Sequence, residues 1–244
     1  ALNKAGDART GLAEFDRAAA LAPHSGWLRA WRGAALARAG EAERALADFA
    51  EAARLMPWYP FTYAWRGALL VRAKRYEEAA SDLDVAVALD PHYSFSRYER
   101  CKARLGRRDY EGATADLAAS FKADPKYVWP AGFSLDEAVA RHPEMGWLQA
   151  WRGWSFMKEG RQAEAKLALD AAVAALPREA AVLSWRGTCL AALGKAAAAR
   201  KDFEKAVKLE PRSWSAHKAL GDLLAAQGRT ADALKRLRRV TELA

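Results

Sequence analysis

The sequence holds a single asparagine, two cysteines and four histidines, and nowhere runs to 18 consecutive apolar residues. Each shortage closes off a class. Cys101 and Cys189 cannot staple a chain of this length into a disulfide framework. They sit at or near small-residue places and read as buried apolar side chains. The histidines are dispersed, and no His, Cys and Asp spacing matches a metal site. Without a long apolar run, no transmembrane helix is expected. A phosphate loop, a dinucleotide fingerprint and a Gly-x-Ser-x-Gly elbow are all missing. The sequence therefore reads as non-enzymatic, with no catalytic residue, metal or cofactor assigned.

What is present is a rule of spacing. Trp-Arg-Gly occurs four times, as Trp31-Arg32-Gly33, Trp65-Arg66-Gly67, Trp151-Arg152-Gly153 and Trp185-Arg186-Gly187. Within each half the interval is 34 residues. The same step links one small place through Gly33, Gly67, Cys101, Gly153, Gly187 and Gly221. Twelve residues on, a second small place reads Ala45, Ala79, Ala113, Ala165, Ala199 and Ala233. Four further on stand Phe49, Leu83, Leu117, Leu169, Phe203 and Leu237. Pro57, Pro91, Pro125, Pro177 and Pro211 close the units, and Phe15, Ala18 and Pro23 mark an incomplete unit in phase.

Such a period marks stacked helix pairs rather than a globule with one core. Small residues let two helices approach, and the large apolar residue fills the space beside them. The prolines stop the second helix of each pair. Gly40, Gly160, Gly194 and Gly228 turn the chain between paired helices.

This register divides the chain into residues 1–25 as the second helix of a partial repeat, 26–125 as repeats one to three, 126–145 as an insert, and 146–244 as repeats four to six. The insert arises because Gly153 stands 52 residues after Cys101, 18 more than the rule allows. Ser134 with Glu137 is a capping-box pattern and predicts a short helix over about 135–141. Trp129 and Phe133 are candidate anchors for its loop. The insert is either a spacer packed on its neighbours or an element offered to a partner. Gly26-Trp-Leu-Arg-Ala-Trp-Arg-Gly33 and Gly146-Trp-Leu-Gln-Ala-Trp-Arg-Gly153 point to duplication of one half.

These residues together resemble the tetratricopeptide repeat family, over nearly the whole chain. Trp-Arg-Gly stands where the family often has Leu-Gly. The variant is similar to the bacterial form with Arg-Gly in the first helix and Asp before the aromatic in the second. The resemblance implies an all-α fold: an α-solenoid of about six and a half antiparallel helix pairs, wound as a right-handed superhelix. It also implies a non-catalytic scaffold that binds a peptide or helix of a protein partner on a concave face lined by first helices.

Two more expectations use that register. Asp48, Asp82, Asp116 and Asp202 come 16 residues after Arg32, Arg66, Arg100 and Arg186, so an Arg–Asp pair within about 4 Å is expected across each of these repeats. Ala168, Leu220 and Arg236 break the pattern elsewhere. Projecting the inner face gives Trp27, Arg38, Phe61, Arg72, Phe95, Tyr98 and Lys102, then Trp147, Trp154 and Lys158, as partner-binding candidates. Toward the C-terminus that face turns small or polar, with Ser184, Thr188, Lys218 and Asp222. The tryptophans of the four tripeptides are assigned to the seam between helices. Family members that grip a carboxylate with asparagine and lysine, or carry an asparagine ladder, are poor guides, since Asn3 is the one asparagine.

A net charge of +9 and a pI near 9.7 leave a nucleic-acid ligand as the alternative. Against it, helical-repeat readers of RNA need polar side chains where this chain has alanine or aromatics. Lys235, Arg236, Arg238 and Arg239 form the one local basic cluster. Self-association through solenoid ends is a third reading. The chain lacks an initiator Met and starts inside a repeat, which suggests a piece of a longer protein. A cytoplasmic setting is expected ahead of a periplasmic one.

Overall fold

Helix boundaries obey the punctuation of the repeat. The computed structural model describes residues 2–124 and 126–243, with side chains from residue 11 onward. Among these residues there are fourteen α-helices and no strand. The chain divides into two compact units, one ending at Phe133 and the other beginning at Ser134.

In the first unit, α1 (Leu2–Leu21) leads into three helix pairs: α2 (Gly26–Ala39) with α3 (Ala42–Leu55), α4 (Pro60–Arg72) with α5 (Tyr76–Leu89), and α6 (Ser94–Gly106) with α7 (Tyr110–Ala123). In the second, a short α8 (Leu135–Arg141) precedes α9 (Gly146–Lys158) with α10 (Gln162–Ala175), α11 (Ala180–Ala192) with α12 (Ala196–Leu209), and α13 (Trp214–Ala226) with α14 (Thr230–Leu243). Pro57, Pro91, Pro177 and Pro211 each stand just beyond a second helix, because the residue before a proline is pushed out of the helical region. Pro125, expected to do the same, lies outside the described residues.

The turn inside each pair needs one left-handed residue. Gly40, Gly160, Gly194 and Gly228 supply it at φ of 72–86°. Repeats two and three place Lys74 (φ 59°) and Arg108 (φ 62°) there instead. Packing of the two helices fixes the turn and outweighs a cost of roughly 1–2 kcal/mol for the side chain.

The seam is built as the spacing predicts. Ala45, Ala79, Ala113, Ala165 and Ala199 are fully buried, as are Phe49, Leu83, Leu117 and Leu169. A methyl group added to Gly187 would come within 2.6 Å of Phe203, and one on Gly67 within 2.6 Å of Leu83. Cys101 and Cys189 are buried free thiols, and burial pushes the Cys101 thiol far above its ordinary value.

The stretch at 126–145 divides between the units. Trp129 Nε1 donates to the Phe133 carbonyl at 2.8 Å, and Phe133 packs 6.3 Å from Tyr76, all in the first unit. The short helix α8 starts the second unit, capped by Ser134 Oγ, which accepts from Glu137 N at 3.1 Å. Leu135, Ala138, Val139 and Pro143 precede Gly153 by the same intervals as Phe49, Ala52, Ala53 and Pro57 precede Gly67. Ala138 and Val139 are buried like Ala52 and Ala53. Thus α8 is a shortened second helix in register with repeat four.

Arginines tie the layers together. Arg32 grips Asp48 through Nε and Nη2 at 2.6 and 2.7 Å, Arg66 grips Asp82 at 2.6 and 2.5 Å, Arg100 grips Asp116 at 2.8 and 2.6 Å, and Arg186 grips Asp202 at 2.7 Å twice. The four aspartates are buried. A third helix joins in most cases, through an acid 16 residues before the arginine: Asp16 at 3.2 Å from Arg32, Asp84 at 2.9 Å from Arg100, and Asp170 at 3.3 Å from Arg186. These bonds hold the Arg32, Arg66 and Arg186 guanidinia above their ordinary pKa.

Repeat four keeps the arginine and lacks the acid. Arg152 lies 3.3 Å from Asp136 without a hydrogen bond from Nε, beside buried Ala168. A hollow of about 300 Å³ opens there between α9 and α10, lined by Gln149, Phe156, Glu164 and Leu167. Ala168→Asp is expected to complete the bidentate pair and stabilise the second unit by about 1–2 kcal/mol. Its thermal midpoint would rise by roughly 2–4 °C per kcal/mol for a chain of this size. A midpoint below the parent's would show that desolvating the new carboxylate outweighs the bonds it makes.

Candidate protein-docking site

Three first helices of the first unit, α2, α4 and α6, enclose a pocket of about 400 Å³. Its walls are Trp31, Trp65, Phe95 and Phe49, with Ala34, Ala37 and Ala68 leaving the space between them. The space exists because alanine occupies the place after the glycine in repeats one and two. Repeat four has Trp154 at that place. Accordingly Trp31 keeps 40% of its surface exposed, while Trp151 in the second unit is fully buried.

Rings continue beyond the pocket. Trp31 meets Trp65 at 5.1 Å, Trp65 meets Phe61 at 6.0 Å, and Phe61 meets Tyr93 at 4.8 Å, which meets Phe95 at 5.7 Å. At the other end Trp27 stacks 4.7 Å from Tyr59, which lies 5.2 Å from Phe61. The rings are tilted at 40–69° to one another, with Phe61 and Tyr93 meeting edge to face, so each ring is braced by its neighbours.

Charge at the pocket is of two kinds. Glu99 occupies the place that is tryptophan in repeats one and two. It is 6% exposed, and Lys102 Nζ donates to it at 2.7 Å and stands equally close to its second oxygen. Burial raises the Glu99 carboxyl above its ordinary value, while the Lys102 hydrogen bond and the charge of Arg72 pull it back. The Lys102 charge is thus met inside the protein, and its ammonium also sits 5.4 Å from the Tyr98 ring. Arg38 and Arg72 differ. Both are exposed on the pocket rim. Among the described residues, Arg38 donates to the Ala34 carbonyl alone, at 3.3 Å. Among the described residues, neither has an acidic group within ion-pair distance, whereas Arg44, Arg54 and Arg75 nearby all do. Nor do the described residues hold a group of three or more His, Cys, Asp or Glu placed for a metal ion, or a helix long and apolar enough to cross a membrane.

The family profile described as tetratricopeptide repeat matches residues 152–209 and 187–244. The same register of glycine, alanine, closing proline and Arg–Asp pair runs through the first unit. The chain is a tetratricopeptide-repeat protein. Members of this family are in general non-catalytic scaffolds for protein partners. No curated protein matches the sequence. Among solved structures, yeast Tom70 is similar at 19% identity and a TM-score of 0.48, over 98% of this chain and 56% of its own, so this chain spans little more than half of that structure. A tetratricopeptide repeat protein from Parabacteroides merdae is similar at 18% identity and a TM-score of 0.48, over 100% and 89%. YrrB, described as a protein with an unusual peptide-binding site, is similar at 19% identity and a TM-score of 0.41, over 80% and 91%. At these values the likenesses carry nothing about ligand or site.

Of the candidates read from the sequence, this tetratricopeptide-repeat protein gathers Arg38, Arg72, Phe95 and Lys102 around one pocket. Trp27 and Phe61 belong to the adjoining ladder. Tyr98 is half-buried under Tyr127, with ring centres 4.9 Å apart. Trp147, Trp154 and Lys158 lie in the second unit. There Trp147 packs 6.3 Å from Trp185, Trp154 packs 6.0 Å from Trp151, and Lys158 sits 5.1 Å over the Trp154 ring. The seam assignment of the tripeptide tryptophans needs correction at Trp31. Trp151 and Trp185 are core and Trp65 packs on the core with one side lining the pocket, but Trp31 is exposed there, because Ala34 beside it does not cover it. Glu99 is absent from the candidates, although repeat three signals it by breaking the tripeptide at that place.

Proposed function

We propose that the first unit is a docking module for a protein partner, holding a peptide or helix segment against α2, α4 and α6 without chemistry of its own. The pocket of about 400 Å³, walled by aromatic rings and rimmed by two guanidinia, carries this reading. Rigid aromatic walls offer large contact area at low entropic cost, and arginine with tryptophan is the residue pair that most often dominates binding energy. Arg38, Phe61, Arg72 and Phe95, joined by Trp31 and Trp65, are the residues assigned to contact. Trp147 and Trp154 are read as packing residues of the second unit, with Lys158 beside them.

The test blocks the pocket with the protein's own device. Ala34→Trp copies into repeat one the side chain that repeat four carries at Trp154. A displayed peptide library is selected against the full chain and against this variant. The parent is expected to enrich a peptide family that the variant no longer retains, with binding weakened by about tenfold or more. Equal enrichment by both would remove the pocket from the binding site.

A further inference from the structure

The charges around the pocket say more about its occupant than its shape does. We infer that the pocket takes a bulky apolar side chain from a partner segment that carries carboxylates on both flanks, a specification that rests on the docking role proposed above. Some of the charges are already satisfied. Glu99 and Lys102 stand 2.7 Å apart, so the one carboxylate in the wall already has its counter-charge, and its second oxygen, which accepts no hydrogen bond, is buried. Arg38 and Arg72 remain. They occupy the same place in successive repeats, 34 residues apart, at the ends of α2 and α4. Neither is held by an acid among the described residues, although exposed arginines nearby, such as Arg54 with Glu51 and Arg75 with Glu78, are paired three residues away along the chain.

The carbonyl ends of α2 and α4 lie beside these arginines, so part of each charge complements its own helix. That interaction is weak and leaves the bidentate fork open to a carboxylate. The apolar half of the occupant is set by the walls. Trp31, Trp65, Phe95 and three alanines line a volume larger than any one side chain, and the one acid among them is already paired. A chain of alternating phosphates would meet only two unpaired guanidinia here, and the wall rings are tilted 40–60° to one another, so they present no run of parallel faces on which successive bases could stack. An acidic polypeptide with an apolar anchor fits on both counts.

The test is fluorescence anisotropy with the full chain and four labelled probes. The first is a blocked peptide, Gly-Asp-Glu-Leu-Phe-Glu-Asp-Gly. The second has lysine at each acidic place, the third has Ser-Ser for Leu-Phe, and the fourth is oligouridylate. The first peptide is expected to bind at least about tenfold more tightly than the second and third. The variant Arg38→Glu with Arg72→Glu should lose the first peptide by about tenfold or more and gain the lysine peptide, since the rim charge is reversed. Both residues are exposed, so circular dichroism should match the parent, and melting should fall only slightly, by the lost complement to the two helix ends. Equal binding of the lysine peptide by the parent, unchanged affinity of the acidic peptide in the variant, preferred binding of oligouridylate, or no binding of the first peptide would each overturn the inference. Library peptides that lack acids but are blocked by Ala34→Trp would overturn it while leaving the docking role intact.

Discussion

Asp82→Ala is expected to destabilise the first unit by about 3–5 kcal/mol. Asp82 is buried and accepts both hydrogen bonds of the Arg66 fork, at 2.6 and 2.5 Å. Its neighbours have a reserve that it lacks. Arg32 and Arg186 would keep Asp16 and Asp170, at 3.2 and 3.3 Å, if their own aspartate were removed. Arg66 would keep nothing comparable, because Ala50 stands where the second acid would be. The order of loss is therefore Asp82→Ala ahead of Asp202→Ala, since Arg186 keeps Asp170. Replacing both partners, as Arg66→Leu with Asp82→Leu, should recover most of the loss, since no unpaired charge then remains buried. Because neighbouring repeats can melt separately, hydrogen exchange in α4 and α5 is the right reading beside urea denaturation. A loss below about 1 kcal/mol would reduce the strut to an ordinary surface pair.

Trp151→Ala and Trp31→Ala should differ sharply, although both change the same letter of the same tripeptide. Trp151 is fully buried between Trp154 and Trp185, at 6.0 and 5.0 Å, and its removal opens a cavity worth about 3–5 kcal/mol. Trp31 faces the pocket and is far from fully covered, so its removal should cost about 1 kcal/mol. The effects on binding run the other way: Trp31→Ala should weaken the selected peptides and Trp151→Ala should act only through folding. Melting curves and titrations on the two variants check this. Equal stability losses would return Trp31 to the core.

The same pair shows how far a single position can be read in isolation. Repetition made the helix pairs legible, because the identity of Gly33, Ala45 and Phe49 depends on contacts between adjacent turns of chain, and those contacts recur every 34 residues. The Arg–Asp struts were legible for the same reason. Their third partner was not, since Asp16, Asp84, Asp136 and Asp170 recur with Ala50 interrupting them, and the pattern emerges only when second helices of successive repeats are seen side by side. The shortened helix α8 was hidden by its length, although Pro143 kept its register.

Register was thus contained in the amino acids alone: the helix pairs, their turns, the closing prolines, the struts and the family. Exposure was not, because whether a residue of the inner row is wall or opening depends on which side chains of its own helix and of the adjacent repeat pack over it. Ala34 leaves Trp31 open, whereas Trp154 and Trp185 cover Trp151. Arg38, Arg72, Phe95 and Lys102 could be placed on one face by periodicity. That they surround a pocket, with Lys102 already neutralised by Glu99 and the two arginines left open, depends on distances between repeats that no spacing along the chain encodes.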